Sequence, residues 1–188
     1  MNKQKRFLAA LNAAKNALDE AGIPFHLHSG TALGAHREKK FIKHDEDIDL
    51  GVFVEDWNRN LISKMKKWGF ESKYANDKHF GTIKKGKEYT FFYKNGVPLD
   101  IFLVYSGKHD NKNINWVASY LGACNKKPGK MCKWQVRAYK PILINFMGKQ
   151  FYTVPKKTLA DMYGKDWHIP KVFDYDTGVE RGDYKGLM

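Results

Sequence analysis

The segment that most constrains the fold of this chain is a run of acidic residues that leads directly into an apolar segment, KHDEDIDLGV, residues 43–52. In a β-strand, side chains two positions apart point to the same face of the sheet. Asp47 and Asp49 would therefore share one face, while the apolar residues between and after them enter the core on the other. The pattern predicts a strand over residues 47–54 that carries a pair of carboxylates at its start.

Two carboxylates held close together repel each other, and without a cation between them their pKa values would rise. Mg²⁺ and Mn²⁺ are the natural partners, since hard cations take oxygen ligands and Mg²⁺ is usually held by carboxylates together with substrate phosphates. A candidate third ligand is Asp100, a lone acid in the apolar run VPLDIFLV, where a buried carboxylate would be costly without a partner. If the two strands pair, Asp47, Asp49 and Asp100 form a triad for Mg²⁺ or Mn²⁺.

Each of these acidic features also has a purely structural explanation. An Asp-x-Asp pair at a strand edge is often a solvated turn or a helix N-cap, and Asp100 alone could pair with one of the many lysines. The two features together favour a site over these explanations. Within the acidic run, Asp45 is a candidate outer ligand, and Glu46 is expected to point away.

The segment upstream of the acids supplies a candidate phosphate site. In HSGTALGAHR, residues 28–37, Ser29 and Gly30 are predicted to lie where a strand turns into a helix. A glycine there permits close approach of the backbone, and the first N–H groups of a helix can bind a phosphate. Arg37 and Lys39 follow within reach of the same anion. Alone, such a turn is typical of a structural cap, but followed by the three acids it predicts a phosphate cradle that faces a metal site.

The remaining patterns predict a mixed fold, α+β or α/β, with a small mixed sheet flanked by helices. Apolar residues recur at helical spacing from Phe7 to Ala21, which predicts an amphipathic helix that ends at Gly22. Two β-rich runs meet at Asn95-Gly96, a strong hairpin signal. Another turn is predicted near Gly148, between two further strands.

Length and charge bound the class of protein. A chain of 188 residues suits one domain, which we expect to comprise a catalytic core over about 22–105 and a β/helical extension over about 106–188. The net charge of +13 is spread along the chain, so it favours polyanions in general without locating a groove. Two cysteines, Cys124 and Cys132, argue against a disulfide framework and are expected to be free thiols. We expect a cytoplasmic protein without stable membrane insertion.

The segment GTALGAHREKKFIKHDEDIDLGV, residues 30–52, closely resembles the signature of the LicD/fukutin family of phosphotransferases, which have the nucleotidyltransferase fold. In that signature a Gly-Thr-x-Leu-Gly-x-x-Arg run precedes a hydrophobic pair and then an Asp-hydrophobic-Asp strand. Three further segments resemble the fukutin-like branch in particular, and they occur in the right order over most of the chain. These segments are DIDLGVFVEDW, LDIFLVY and MYGKDWHIP.

The resemblance implies a metal-dependent transferase that moves a phospho-alcohol from a CDP-activated donor to a hydroxyl of a glycan or related acceptor, including an anionic one. The phospho-alcohol would be of the phosphocholine or ribitol phosphate type. Asp47 and Asp49 would hold the metal and the donor diphosphate, and Asp100 would complete the metal site or accept the proton of the attacking hydroxyl. The residues implied for the donor phosphates are Ser29, Gly30, Thr31 and Arg37.

Two alternatives stay open at the level of sequence. The same acids would serve a nucleotidyltransferase that moves a nucleotide from an NTP to a small molecule, a protein or RNA, and the net charge would suit RNA. A basic polyanion-binding module with structural acids is the other alternative, although a binding module has no need of three convergent carboxylates. Nucleic acid is therefore a conceivable partner, but it is not the favoured one.

Overall fold

The computed structural model describes residues 2–72, 88–119, 132–171 and 186–187, in which helices and strands are interspersed. The helices are α1 (Lys3–Ala21), α2 (Ser29–Arg37), α3 (Asn60–Lys67) and α4 (Lys156–Tyr163), with a short 3-10 helix at Val54–Asp56. The strands are β1 (His26–Leu27), β2 (Ile48–Phe53), β3 (Phe70–Ser72), β4 (Glu88–Tyr93), β5 (Pro98–His109), β6 (Lys112–Ser119), β7 (Cys132–Arg137), β8 (Ile142–Phe146), β9 (Lys149–Thr153) and β10 (Gly186–Leu187). Cys124 and the side chain of Cys132 lie outside the described part of the chain.

The strands form one mixed sheet in the order β10-β7-β6-β5-β2-β1-β9-β8, and a branch places β4 beside β5 and β3 beside β4. β2 runs parallel to β5 and antiparallel to β1. The predicted mixed α+β fold is confirmed. The strand β5 continues without a break through residue 105, so the proposed core and extension share one strand.

Helix α1 begins and ends at local capping residues, of which the sequence pattern predicts the second. The Asn2 side chain accepts a hydrogen bond from the Lys5 N–H at 3.0 Å, which caps the start. Gly22 adopts the left-handed conformation (φ 69°), and its N–H reaches the Leu18 and Asp19 carbonyls. The buried face of α1 includes Phe7, Leu11, Ala14 and Leu18. The predicted amphipathic helix and its end at Gly22 are confirmed, and the helix begins at Lys3, four residues before the first predicted apolar position.

The two faces of β2 divide the core from the site, as its alternation predicts. Ile48, Leu50 and Val52 are fully buried and belong to the same hydrophobic core as the apolar face of α1. Asp49 points to the opposite face. Burying the three aliphatic side chains fixes the register of β2, because a shift by one residue would move them all to the other face.

The predicted hairpin at Asn95-Gly96 joins β4 to β5. Gly96 has a φ of 80°, and the Tyr93 N–H donates to the Val97 carbonyl at 2.9 Å. The turn is also attached to α1, because Arg6 Nη2 donates to the Asn95 carbonyl at 3.0 Å. The second predicted turn is present as well, with Gly148 (φ 80°) between β8 and β9.

No helix in the described ranges is long and apolar enough to span a membrane.

Candidate active site

Three carboxylates converge where β2 begins. One carboxylate oxygen each from Asp45, Asp47 and Asp49 lies within 4.8 Å of the other two. Asp47 directly precedes β2, Asp49 is its second residue, and Asp45 lies in the preceding irregular segment, residues 38–47, which we call the acid loop. Asp45 therefore lies in one cluster with Asp47 and Asp49, and its place as an outer ligand stays a prediction. Glu46 is exposed, as expected.

Asp100 lies beside this cluster on the neighbouring strand. The parallel register of β2 and β5 pairs Asp49 with Asp100. The strand pairing that the predicted triad required is present, but the carboxylates that converge are those of Asp45, Asp47 and Asp49, and a place for Asp100 in the metal set stays a prediction. The negative charge of Asp100 also contributes to raising the pKa of Asp49, after burial, Asp47 and Asp45.

Burial and mutual repulsion disfavour the charged forms of the clustered carboxyls. Burial raises the pKa of Asp49, which is only 7% exposed, well above its usual range. The pKa of Asp45 is raised to about 6, first by burial and then by Asp47, against the opposing charges of Lys3 and Arg37. Burial likewise raises the pKa of Asp47. A divalent cation would relieve this repulsion, so the all-oxygen set fits a hard cation, and the cluster could hold a metal ion.

The turn between β1 and α2 fixes Asp49 through hydrogen bonds. The Gly30 N–H donates to Asp49 Oδ2, and the Asp49 N–H donates to Thr31 Oγ1, each at 2.9 Å. The His28 N–H reaches the Asp49 carbonyl at 3.1 Å. The start of α2 thus contacts a carboxylate of the site directly, and phosphate binding by Gly30 and Thr31 stays a prediction.

Gly30 is required by a close approach. A Cβ atom at this position would lie 2.5 Å from Asp45 Oδ2, which is too close for any real side chain. The carboxylate of Asp45 therefore rests against the start of α2. Ser29, its neighbour, has a φ of 38°, and its Oγ lies 2.9 Å from His28 Nδ1 in the interior. Ser29 is thus engaged with a buried histidine, and its predicted phosphate contact is likewise untested.

The two predicted cationic residues lie in different surroundings. The Arg37 side chain is only 9% exposed, donates to Glu38 Oε1 at 2.7 Å, and is close enough to Asp45 to lower its pKa. Its Nε is buried and has no hydrogen-bond partner within the described part of the chain. Lys39 instead lines a surface cavity of about 600 Å³ beside the turn between β8 and β9. The structure thus brings Arg37 to the acid cluster and places Lys39 at this cavity.

One residue at the cluster was missed by the sequence reasoning. Lys3 Nζ donates to the carbonyls of Ile42 and Lys43 at 2.9 Å each, and also to that of Asp45. Burial lowers the pKa of Lys3, while nearby carboxylates, Asp45 foremost, oppose that shift. No local pattern reports a contact between a helix and a loop so far apart in sequence. A lysine at the first position of a helix was the only available signal.

Comparison with known proteins bears directly on the predicted family. The model of the family described as LicD/FKTN/FKRP, nucleotidyltransferase domain, matches residues 22–157. Ribitol-5-phosphate transferase FKTN of Homo sapiens is 31% identical over 88% of this chain and 34% of its own length. The Mus musculus protein of the same name is 31% identical over 98% of this chain and 38% of its own. The chain thus spans about a third of the length of these relatives.

Solved structures support the fold alone. The lincomycin-bound lincosamide antibiotic adenylyltransferase LnuA superposes with a TM-score of 0.51 at 11% identity, over 93% of this chain and 94% of that one. The solution structure of the antibiotic-resistance factor ANT(2'')-Ia gives a TM-score of 0.50 at 15% identity, over 97% and 82%. These similarities confirm the predicted nucleotidyltransferase fold. Because the family model covers most of the chain, this protein belongs to the LicD/FKTN/FKRP family of transferases.

Proposed function

We propose that this protein is a metal-dependent transferase that moves a phospho-alcohol, of the ribitol phosphate or phosphocholine type, from a CDP-activated donor to a hydroxyl of a glycan or related acceptor. The observation that carries the proposal is the convergence of Asp45, Asp47 and Asp49 at the start of α2 in a LicD/FKTN/FKRP domain. The FKTN relatives are named ribitol-5-phosphate transferases, which supports the class of transferred group.

Asp47 and Asp49 would hold Mg²⁺ or Mn²⁺, with Asp100 completing the set from β5 and Asp45 contributing from the acid loop. A bound cation would neutralise negative charge on the phosphate oxygens of the donor. The hydrogen bond from the Gly30 N–H aims the Asp49 carboxylate, and the Thr31 hydroxyl fixes the strand backbone beneath it. The repulsion among these carboxyls is the physical reason to expect a cation.

The donor phosphates would bind beside the start of α2, at Ser29, Gly30 and Thr31. The Gly30 N–H donates to Asp49 Oδ2, so the part of Gly30 would be to hold that carboxylate and to leave room for the donor. Arg37 would add positive charge at the cluster, and Lys39 would extend the same basic character toward the surface. The site is well suited to in-line displacement, which depends mainly on positioning and charge neutralisation.

In the proposed reaction, the acceptor oxygen bonds to the phosphorus that carries the alcohol. The bond from that phosphorus to the bridging oxygen breaks, and CMP leaves with the electron pair. Asp100 would accept the proton of the attacking hydroxyl, because it lies beside Asp49 at the same edge of the cluster. Asp100 therefore has two candidate roles, as base or as metal ligand.

The proposal is tested by donor preference. Purified protein with Mn²⁺ is expected to show a higher melting temperature with CDP-ribitol or CDP-choline, and a smaller rise with ATP. Incubation with a glycan acceptor should then release CMP, measured by chromatography. A strong shift with ATP, with none for the CDP-alcohols, would contradict the proposal and favour nucleotide transfer from an NTP.

Asp100→Asn separates the two roles of Asp100. If the carboxylate acts as base, the variant keeps the Mn²⁺ affinity of the wild-type protein and loses release of CMP. If it is a metal ligand, both fall together. A variant that retains full transfer would remove Asp100 from the proposed site, and Asp161→Asn, which alters an acid bound to Arg137, is a control for loss of a carboxylate elsewhere.

A further inference from the structure

The first residue of α1 reaches across to the acid loop. Lys3 Nζ donates to the carbonyls of Ile42, Lys43 and Asp45. A lysine ammonium has three N–H donors and no acceptor. All three donors are therefore directed to the loop backbone. The Lys3 ammonium group thus binds the main chain of the loop and is not free to bind a substrate phosphate.

The acid loop is anchored to the core by the buried side chains of Phe41 and Ile42, but the part that carries Asp45 has few backbone contacts among the described residues. The loop lacks regular secondary structure. Within it, the Asp45 N–H donates a long hydrogen bond, 3.3 Å, to the Ile42 carbonyl. Gln4, the next residue of α1, pairs with Phe41 in both directions, donating to its carbonyl at 2.8 Å and accepting from its N–H at 3.0 Å. The start of α1 thus supplies much of the support for the loop.

The position of Lys3 is unfavourable for the helix itself. A positive charge at the start of a helix opposes the helix dipole, and α1 has no acidic residue in its first turn to offset it. Helix formation therefore does not explain a lysine at this position, whereas the three carbonyl contacts do. Lys3 also precedes the region matched by the family model, which begins at residue 22.

We propose that Lys3 is a positioning residue for the metal site: by fixing the carbonyls of Ile42, Lys43 and Asp45, it holds the acid loop in the shape in which its carboxylates converge with that of Asp49. This inference rests on the proposed function, in which the acid cluster binds a divalent cation. It extends the site to a helix outside the matched domain.

Charge and positioning make opposite predictions for removal of Lys3. The ammonium lies near Asp45, Glu46 and Asp47, so loss of its positive charge alone would strengthen the attraction of the cluster for a cation. Loss of the three carbonyl contacts would instead release the loop and weaken binding. The sign of the change in Mn²⁺ affinity therefore distinguishes a positioning residue from a mere neighbouring charge.

The experiment measures Mn²⁺ binding to the full chain by isothermal titration calorimetry, with circular dichroism as the check on folding. Lys3→Met is expected to weaken Mn²⁺ binding about 10-fold or more, as is typical when a supporting partner of a metal ligand is lost. Lys5→Met is the matched control, because Lys5 is exposed on the same helix, and it should leave the affinity within about twofold of wild type. Lys3→Arg keeps the charge and should lose less than Lys3→Met.

Unchanged or tighter binding by Lys3→Met, with wild-type binding intact, would overturn the positioning role and leave the proposed function standing. No Mn²⁺ binding by the wild-type protein would overturn both. If Lys3→Met fails to fold, Lys3→Arg decides, since an affinity equal to that of wild type would mean that the three-carbonyl geometry is unimportant. A loss in Lys3→Arg with an unchanged circular dichroism spectrum would support the proposal.

Discussion

The acidic residues of the site are held in place in two different ways. Asp49 and Asp100 lie on paired strands, where the ladder of β2 and β5 and the buried aliphatic residues of β2 determine their positions. Asp45 and Asp47 belong to the acid loop, which has no regular secondary structure and is held by side-chain contacts from α1 and by the buried Phe41 and Ile42. The strand acids are therefore held by a backbone ladder, and the loop acids by side-chain contacts.

This difference indicates where the site can be altered without loss of the fold. A change at Asp49 or Asp100, the strand side of the site, alters a carboxylate whose backbone keeps its position, so the effect is chiefly chemical. A change that moves Asp45 or Asp47, the loop side of the site, leaves their carboxylates intact, so the effect is chiefly geometric. Substitutions on each side can test this division.

The largest effect is expected from Asp49→Asn on the strand side. Asparagine has the same shape and keeps an oxygen for the Gly30 N–H, but it removes the charge that a divalent cation requires. We expect Mn²⁺ affinity and turnover to fall more than about 100-fold, beyond the usual 10–100-fold cost of losing an outer partner of a metal ligand. The metal-free variant should melt at the wild-type temperature or higher, because one of the repelling carboxyls is gone.

Titration calorimetry and melting curves check both parts of this prediction. Asp19→Asn is the matched control, because Asp19 is an exposed acid on α1 that pairs with Lys15. The control should leave Mn²⁺ affinity unchanged. Wild-type affinity in Asp49→Asn would show that the cluster is not the metal site.

A smaller, geometric effect is expected from Gly30→Ala. The added methyl group would lie 2.5 Å from Asp45 Oδ2, so the Asp45 carboxyl group must move from its place in the cluster. Overpacking of this kind typically costs about 1–3 kcal/mol, and we expect weaker Mn²⁺ binding as well. Gly107→Ala is the control, because its methyl group would meet its nearest neighbour at 3.5 Å, an ordinary contact. Equal unfolding free energies for both variants would contradict the close approach at Gly30.

Thr31→Val should affect stability more than metal binding. It keeps the shape of a fully buried side chain but removes the oxygen that accepts from the Asp49 N–H. An unsatisfied buried N–H costs about 1–3 kcal/mol, measured here by urea unfolding. Thr31→Ser should restore most of this loss, because it retains the hydroxyl. If Thr31→Ser is as unstable as Thr31→Val, packing of the methyl group rather than the hydrogen bond is responsible.

The sequence predicted the strand side far better than the loop side, for a physical reason. Alternation along residues 47–54 assigns Asp49 to the face away from the core, and the turn at Asn95-Gly96 starts the strand that carries Asp100 beside it. Both signals are local, since each depends on neighbours a few residues away. The two-residue period and the turn chemistry therefore place each acid on its own strand, whereas the pairing of β2 with β5, which brings the two acids together, is a long-range contact.

The loop side could not be predicted in the same way. Lys3 meets the acid loop only after α1 has packed on the core, and nothing in the local sequence of either segment reports this contact. Gly30 was correctly predicted to permit a close approach, but the group that approaches it in the structure is the carboxylate of Asp45. Local patterns can indicate that space is needed without identifying the group that fills it.

The smallest predicted effect concerns pH and adds a thermodynamic test of the loop side. The pKa of Asp45 is about 6 in the folded protein, compared with about 3.9 for an unfolded aspartate. Between these values the folded state retains a proton that the unfolded chain has lost, so stability must fall as pH rises. The metal-free protein should lose on the order of 1 kcal/mol between about pH 4 and pH 6 through this group.

Other acids with lowered pKa values, such as Glu20 and Asp166, act in the opposite sense, so the informative quantity is the difference between wild type and Asp45→Asn. That difference in unfolding free energy, from urea titrations without metal, should shift toward the variant as pH rises through 6. Mn²⁺ at pH 7 should then shift it back toward wild type, because a bound cation favours the ionised carboxylate. A difference independent of pH would mean that Asp45 is ordinarily solvated, and that the loop does not hold it in the cluster.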